Sequence, residues 1–190
     1  EQRLSQWGAG FLKPRHGCRG EGVRRIEVGQ PIPPTQPDEW VLQRAIQSPA
    51  GCAGIAVRVL AQRQLDGTWW IAPPVVRRSE EDPVVNAARG ASVLPADSVL
   101  ASEALRSIQS QTREAAEALG QGESGELVLE LGLDFAIDPS GHPHLIEVNS
   151  CPRGRLLYLA RQNPRDYAGL HAEACERPLR RLLHLAGALP

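Results

Sequence analysis

The chain of 190 residues contains no methionine, and lysine occurs only once among its 21 basic residues. No apolar run approaches the ~18 residues that a transmembrane helix requires, and no basic start followed by an apolar stretch indicates a signal peptide. The four cysteines stand far apart with no zinc-ligand spacing, which favours free thiols in a reducing compartment. We therefore expect a cytoplasmic protein with no membrane partner.

The charge balance and composition exclude further classes of partner. Basic and acidic residues number 21 and 22, the net charge is −1, and 42% of the residues are hydrophobic. Such a chain forms one globular module of average polarity, or at most two small lobes. Because no net positive field attracts a polyanion, we expect a small-molecule partner and no nucleic acid.

The one lysine, Lys13, is a candidate functional residue for a simple reason. A coding bias toward arginine would explain why every other basic residue is an arginine. A lysine that persists against that bias marks a position where a compact ammonium group is needed. Because methionine is absent even at position 1, we also expect that further residues precede Glu1 in the full protein.

The first fifty residues alternate short strands with turns. Residues 8–15 and 23–28 are predicted to form a hairpin with a glycine-rich tip, and 40–46 a further buried strand after a proline-rich loop. The loop at 47–54 is a plausible boundary between two lobes.

The rest of the chain alternates hairpins with helices. Strands are predicted at 55–62 and 68–76, joined by a turn at 65–67. Apolar residues at steps of three and four predict a helix over 98–119, capped by Asp97 or Ser98 and ended by Gly120.

A second pair of strands follows this helix. It spans 126–138 and 143–150 and is joined by a Pro-Ser-Gly turn, and 164–187 is predicted to be helical. The predicted class is α+β, with mainly antiparallel hairpins and helices packed against them.

A glycine-rich segment, KPRHGCRGEGV, begins at Lys13. Its glycines at 17, 20 and 22 allow the backbone to bend and to direct N–H groups at an anion. The lysine precedes the glycines and no helix start follows, so the segment is neither a P-loop nor a dinucleotide-binding turn. It is either a phosphate-covering hairpin or a flexible hairpin with an incidental lysine.

A second segment, LDFAIDPSGHPHLIEVNS, places oxygen ligands on one hairpin. Asp134 begins one strand, and Glu147 and Asn149 lie two apart on the returning strand, so the latter two point to the same face. Two carboxylates and an amide are the oxygen ligands that Mg²⁺ prefers. The alternative is a solvated hairpin end.

Together, these segments resemble the ATP-grasp superfamily, and most closely its YheC/YheD family of endospore coat-associated proteins. The resemblance rests on the segments KPRHGCRGEGV, WVLQRAI, VRVLAQRQLDGTWWIAPPVVRR, NAARGA and LGLDFAIDPSGHPHLIEVNSCPR. It implies an α+β, ATP-grasp fold in which ATP is held between two α+β lobes. Residues 1–47 would form the small lobe and 48–190 the large lobe, with the N-terminal part of the full enzyme missing.

The resemblance also implies roles for individual residues. Lys13 and the loop of Gly17, Gly20 and Gly22 would contact the nucleotide phosphates. The adenine hinge would consist of Gln43, Arg44, Ala45 and Ile46, acting mostly through backbone groups.

Further residues would act in the reaction itself. The catalytic side chains implied are Arg58, Arg78, Arg89 and Asn86, with Arg77 able to serve in place of Arg78. The metal ligands implied are Asp134, Glu147 and Asn149, which would hold one or two Mg²⁺ ions.

Two positions depart from the family pattern. Ala56 stands where the family often has an acid two residues before the arginine, and Ala91 stands in place of a glycine. Either change would weaken catalysis while sparing nucleotide binding.

The activity implied is that of an ATP- and Mg²⁺-dependent ligase. It would join a small-molecule carboxylate to an amine or thiol through an acyl phosphate. The alternatives are a kinase-like phosphotransferase and a non-catalytic nucleotide-binding or spore-coat-associated protein.

Overall fold

The computed structural model describes residues 2–16, 21–33, 36, 38–85, 90–150, 152 and 155–188. These residues form two antiparallel sheets with helices packed against them. The first sheet has the strand order β2-β1-β3. Its strands are β1 (Ala9–Pro14), β2 (Arg24–Glu27) and β3 (Trp40–Arg44), preceded by helix α1 (Gln2–Trp7).

The larger sheet has the order β7-β6-β4-β8-β9, and a short strand, β5, pairs with the far end of β4. Its strands are β4 (Gly54–Arg63), β5 (Trp69–Ile71), β6 (Val75–Ser79), β7 (Ser92–Pro95), β8 (Glu130–Ile137) and β9 (Pro143–Asn149). The helices are α2 (Ser102–Leu119), α3 (Leu156–Gln162) and α4 (Pro164–Leu185).

Each face of the large sheet is buried by different helices. Val57, Val59 and Leu133 pack in one core with Ile108 of α2. Alternate residues of the same strands, such as Leu60 of β4, pack on the opposite face with α3 and α4. Successive side chains of a strand point to opposite faces, so the alternation of buried residues fixes which face each polar residue occupies.

The second of these faces is only partly covered. At the far end of β4, Gln62 is fully buried and its Nε2 donates to the Ala174 carbonyl of α4 at 2.7 Å. At the near end, Arg58 shares this face with Leu60 and Gln62 but borders a cleft instead of a helix. The polar end of the face is therefore left open for a ligand.

Two predicted elements differ in detail. The helix begins at Ser102, not 98, and its N-cap is Ala101, which makes no side-chain capping bond, so capping by Asp97 or Ser98 was wrong. It ends at Gly120 as predicted. The strand predicted over 68–76 is divided into β5 and β6, because Pro73 and Pro74 have no N–H groups for the ladder.

Three short elements were not predicted, namely α1, β7 and α3. Cys52 and Cys175 are free thiols, as expected, whereas Cys18 and Cys151 lie outside the described residues. Among the described residues, no helix combines the length and apolar character needed to cross a bilayer.

Candidate functional site

A cleft of about 1390 Å³ separates the two sheets. Seven arginine or lysine side chains and four carboxylates of the described residues line it. The chain as a whole has a net charge of −1. Positive charge is therefore concentrated in the cleft, as an anionic ligand requires.

The small sheet presents one polar face to the cleft. In β1, Leu12 packs against Leu4 of α1 and Ile26 of β2, whereas Phe11 and Lys13 point the other way and line the cleft. Lys13 is thus placed over the ligand space by the alternation of the strand. This is the position that the sequence predicts for a phosphate-binding lysine.

The large sheet supplies the opposite wall. In the strand register, Asp134 of β8 lies between Arg58 of β4 and Glu147 of β9. Asn149 pairs with Gly132, two residues before Asp134, and so shares the same face. The sheet therefore brings together an arginine, two carboxylates and an amide from three strands, β4, β8 and β9.

Asp134 is buried, with 6% of its surface exposed, and is held by two guanidinium groups. Arg58 donates from Nε to Oδ1 at 2.8 Å and from Nη2 to Oδ2 at 2.6 Å. Arg77 of β6 donates from Nη2 to Oδ1 at 2.6 Å. The Asn149 amide adds a longer bond to Oδ2 at 3.3 Å, so both carboxylate oxygens accept two donors each.

Glu147 lies beside this network and is more exposed. Its Oε1 accepts a hydrogen bond from Asn149 Nδ2 at 3.1 Å, and its Oε2 lies 3.7 Å from Lys13 Nζ. The Lys13–Glu147 pair joins the two sheets across the cleft. A second link is the hydrogen bond from Gln43 Nε2 to the Ile146 carbonyl, at 3.1 Å.

These two links are weak ties between the lobes. The side chains of Lys13 and Glu147 are 22% and 46% exposed, and an ion pair with that exposure contributes about 0–1 kcal/mol. A neutral hydrogen bond contributes about 1 kcal/mol. These two polar contacts therefore add little to the stability of the interface between the lobes.

The donor set fits a hard divalent cation in part. Glu147 and Asn149 lie together at the cleft surface and suit oxygen coordination of Mg²⁺ once the Asn149 amide, whose Nδ2 faces both carboxylates here, turns its oxygen toward the cation. Asp134 is chemically suitable, but arginines engage its oxygens. No group of three or more His, Cys, Asp or Glu residues with metal-site geometry occurs in the described part of the chain, and here the third oxygen donor is an amide.

Arg77, and not Arg78, faces the cleft. Arg77 shares its face of β6 with Val75, which packs under α3 and α4, whereas Arg78 is on the other face with Val76. Arg78 binds the Gly51 carbonyl at 2.7 Å and Glu80 at 3.2 Å. The structure thus does not bring Arg78 to the site and places the alternative arginine there.

The pKa of the Arg77 guanidinium is lowered from its ordinary value. Burial is the main cause; the Asp134 carboxylate opposes the shift, and the charges of Arg58 and Arg155 add to it. A lowered arginine pKa still leaves the group charged at neutral pH. The shift reflects chiefly how deeply Arg77 is buried in the cleft wall.

The predicted hinge lies where β3 leaves the small sheet. Gln43, Arg44, Ala45 and Ile46 all line the cleft. The Ala45 N–H donates to the Ala9 carbonyl at 3.1 Å. Ile46 follows the end of β3, and its backbone makes no hydrogen bond with another described residue. Ile46 is therefore the better candidate for backbone contacts with a base.

The glycine-rich loop is described only in part. Gly22 has a φ of 73°, the left-handed region that glycine tolerates. It is not among the described residues that line the cleft. Gly17, Gly20, Asn86 and Arg89 lie outside the described residues, so their predicted roles stay predictions.

Sequence reasoning missed two residues of the site. Arg155, just before α3, lines the cleft beside Tyr158. Gly132 leaves room for Arg58, because a Cβ at this position would lie 2.8 Å from Arg58 Nη1 and 2.4 Å from Pro152 Cβ. A glycine two residues before Asp134, on the same face, was the available signal for this close approach.

Comparison with known families gives one match. Residues 34–168 match the model of the YheC/D-like ATP-grasp family. No curated protein matches the chain.

Solved structures with a similar fold are distant in sequence. A D-alanyl-alanine synthetase A from Vibrio cholerae O1 biovar eltor is 14% identical with a TM-score of 0.58, covering 94% of this chain and 55% of that one. An N5-carboxyaminoimidazole ribonucleotide synthetase from Thermotoga maritima is 15% identical with a TM-score of 0.54, covering 84% and 37%. This chain thus spans about half or less of the length of these two proteins.

Proposed function

Since the chain belongs to the YheC/D-like ATP-grasp family, we propose that it binds ATP with Mg²⁺ in the cleft and activates a small-molecule carboxylate. The γ-phosphoryl group would move from ATP to a carboxylate oxygen, giving ADP and an acyl phosphate. An amine or thiol would then attack the acyl carbon and release inorganic phosphate. The observation that carries this proposal is the meeting of Lys13, Arg58, Asp134 and Glu147 around one cleft.

The small lobe would hold the nucleotide. Lys13 would contact its phosphates, and the backbone at Ile46, with Gln43, Arg44 and Ala45 around it, would contact the base. The positive charge of the cleft supports a polyanionic ligand. Gly17, Gly20 and Gly22 would cover the phosphates, as the family resemblance implies.

Glu147 and Asn149 would hold Mg²⁺, and Asp134 would join them when an arginine donor moves aside. The cation, when bound, would neutralise charge on the phosphates. Lys13 lies on Glu147 in this structure, so its ammonium group takes the place of a cation on that carboxylate. Binding of Mg²⁺ would free Lys13 for the nucleotide.

Arg58 would face the group that is transferred, and Arg77 would face the carboxylate substrate beside it. Planar guanidinium groups bind phosphate and carboxylate oxygens in pairs. Both are fixed on Asp134, so they would reach the reacting oxygens without a search for the right rotamer. Arg89 and Asn86 would complete this group.

The ligase form of the proposal is favoured over the kinase form by two observations. Asp134 and Glu147, the cleft carboxylates on the wall of the large sheet, are engaged by Arg58, Arg77 and Lys13 and are therefore poorly placed to deprotonate a substrate hydroxyl. One structural neighbour is named a D-alanyl-alanine synthetase, which supports ligation.

Calorimetry tests the binding step. Titration of a non-hydrolysable ATP analogue should show tighter binding with Mg²⁺ than with EDTA, and Glu147→Gln should remove that difference. Equal affinities with and without the metal would contradict the metal assignment.

Hydroxylamine tests the reaction class. It should trap the acyl phosphate as a hydroxamate when a carboxylate substrate, ATP and Mg²⁺ are all present. A stable phosphoester without hydroxamate would identify a kinase. Nucleotide binding without ADP formation across a broad panel of carboxylates would identify a non-catalytic protein.

A further inference from the structure

Three guanidinium groups gather at the β6 side of the cleft around one buried carboxylate. Arg58 and Arg77 both donate to Asp134, and Arg155 lines the cleft with them. Glu147, the other carboxylate nearby, already lies on Lys13. The three guanidinium groups therefore have a single carboxylate, Asp134, between them at this end of the cleft.

Arg155 has donors available for a ligand. Its side chain makes no hydrogen bond or ion pair with any residue that the structure describes, and its Nε is buried without a partner there. The guanidinium lies 5.8 Å from the ring centroid of Tyr158, which also lines the cleft. An arginine presents five N–H donors in a rigid fork, so this group is arranged to receive an anion.

Ala56 leaves Arg77 without an acidic partner on the adjacent strand. The strand register places Ala56 of β4 directly opposite Arg77 of β6, and both line the cleft. Since alanine has no carboxylate, Arg77 extends across β4 to Asp134 on the next strand. An acid at position 56 would neutralise Arg77 where it stands.

A buried polar group needs a hydrogen-bond acceptor or a counter-charge, and here the Nε atoms of Arg77 and Arg155 are both buried with no acceptor among the described residues. Building on the function proposed above, we propose that Arg77 and Arg155 bind a second anionic group of the carboxylate substrate. The substrate class is then a carboxylic acid that carries another carboxylate or a phosphate or phosphonate group.

The position of Arg155 separates this site from the nucleotide site. Arg155 precedes α3, which packs beside β7 at one edge of the sheet. Glu147 and Asn149 belong to β9, at the opposite edge. Lys13 meets Glu147 on that opposite side. Nucleotide and metal are expected on the β9 side of the cleft. The anion site therefore lies on the other side of Arg58 and Asp134, toward β6 and β7.

The test uses matched pairs of small acids as probes. The protein is saturated with a non-hydrolysable ATP analogue and Mg²⁺, so that the phosphate contacts are occupied. Calorimetry then compares dicarboxylates from succinate to pimelate, and the corresponding phosphono acids, with monocarboxylates of the same chain length. We expect at least one dianionic acid to bind tenfold or more tightly than its matched monocarboxylate.

Two variants locate the effect. Arg155→Gln and Ala56→Asp should each abolish the preference for the dianionic acid, whereas Ala56→Asn, which has the same size as Ala56→Asp without its charge, should retain it. Melting temperature and affinity for the ATP analogue serve as folding controls. Arg155→Lys should recover part of the preference, because it restores the charge without the fork.

The outcomes separate this proposal from the previous one. If the ATP analogue binds with Mg²⁺ but no dianionic acid is preferred, or if Arg155→Gln and Ala56→Asp leave the preference unchanged, the second anion site is wrong and the proposed nucleotide site stands. If the preference exists but disappears equally in Ala56→Asn, size and not charge determines it, and the proposal also fails.

Discussion

Arg58 and Asp134 lie opposite each other on neighbouring strands and are joined by two parallel hydrogen bonds, Nε to Oδ1 at 2.8 Å and Nη2 to Oδ2 at 2.6 Å. Paired bonds of this kind fix the orientation of both groups. Arg77 binds the same carboxylate from the other side of β4. Asp134 therefore fixes the arginines of the cleft wall in addition to any part that it has in binding a metal.

Replacing Asp134 should cost stability. Asp134→Asn leaves Arg58 and Arg77 buried without a counter-charge, and the loss of one partner of a buried pair costs about 3–5 kcal/mol. Glu147→Gln is the matched control, because the Glu147 side chain is 46% exposed and should lose less than about 0.5 kcal/mol. Urea unfolding measures both, and similar losses in the two variants would contradict this account.

The two neighbouring arginines of β6 should behave differently. Arg77→Gln should weaken turnover or substrate binding, since Arg77 lines the cleft. Arg78→Gln should change these quantities little, because Arg78 is on the opposite face and binds Gly51 and Glu80. Steady-state kinetics, or acid binding by calorimetry, compares them. A larger effect of Arg78→Gln would show that the face assignment is wrong.

Gly132→Ala should disturb the site through a methyl group alone. A Cβ at Gly132 would meet Arg58 Nη1 at 2.8 Å and Pro152 Cβ at 2.4 Å, so Arg58 must move away from Asp134. Overpacking of this kind costs about 1–3 kcal/mol. Gly141→Ala provides a control for the general cost of losing a glycine, since a Cβ there meets nothing within 4 Å although its φ is 85°. Only Gly132→Ala should also reduce activity, and unchanged activity would rule out the steric explanation.

Lys13→Arg should weaken nucleotide binding although it keeps the charge. The lysine meets Glu147 across the cleft at 3.7 Å, and a planar, longer guanidinium does not occupy the same space as an ammonium group. Calorimetry with the ATP analogue and Mg²⁺ measures the change, with Arg180→Lys as the reciprocal control at an exposed position of α4 outside the cleft. An unchanged affinity of Lys13→Arg would show that nucleotide binding does not require a lysine at position 13.

Acid should weaken the β8–β9 turn through Asp138. Its pKa is held well below its usual range, first by the hydrogen bond with His144 and then by those with Ser140 and the His142 backbone. Because the folded pKa is the lower one, this stabilisation is complete above the unfolded value of 3.8 and is lost as the pH falls below it. The difference in unfolding free energy between the wild type and Asp138→Asn should therefore shrink from about pH 5 to about pH 3. A constant difference would show that Asp138 does not act through its charge.

The confirmed family and α+β ATP-grasp fold were predictable because several motifs occur in order along the chain. Strand alternation placed Lys13 on the cleft face, and the Asp134, Glu147 and Asn149 pattern brought three oxygen donors to one hairpin. Both predictions depend only on the alternation of side chains along a strand, which can be seen in a short stretch of sequence. The functional roles of these residues stay predictions.

The sequence could not predict whether Arg77 or Arg78 faces the cleft, because that depends on which residues of β6 point to each face of the sheet. The network around Asp134 was hidden for a related reason, since Arg77 reaches it across an intervening strand. Arg155 was missed because it stands between predicted elements in a region with no periodic pattern. Contacts of this kind arise from strand order, which short-range patterns do not encode.

The order Val-Val-Arg-Arg in β6 gives both faces of the strand the same content, one valine followed by one arginine. A shift of the strand by one residue would exchange Val75 with Val76 and Arg77 with Arg78, and each face would still receive an apolar side chain and a guanidinium. The strand therefore carries no information about its own register, which must come from its pairing with β4 and β7. A deletion or insertion of one residue in the flanking loops would thus be tolerated here more readily than in β8, where the same slip would turn Asp134 into the core that Phe135 occupies.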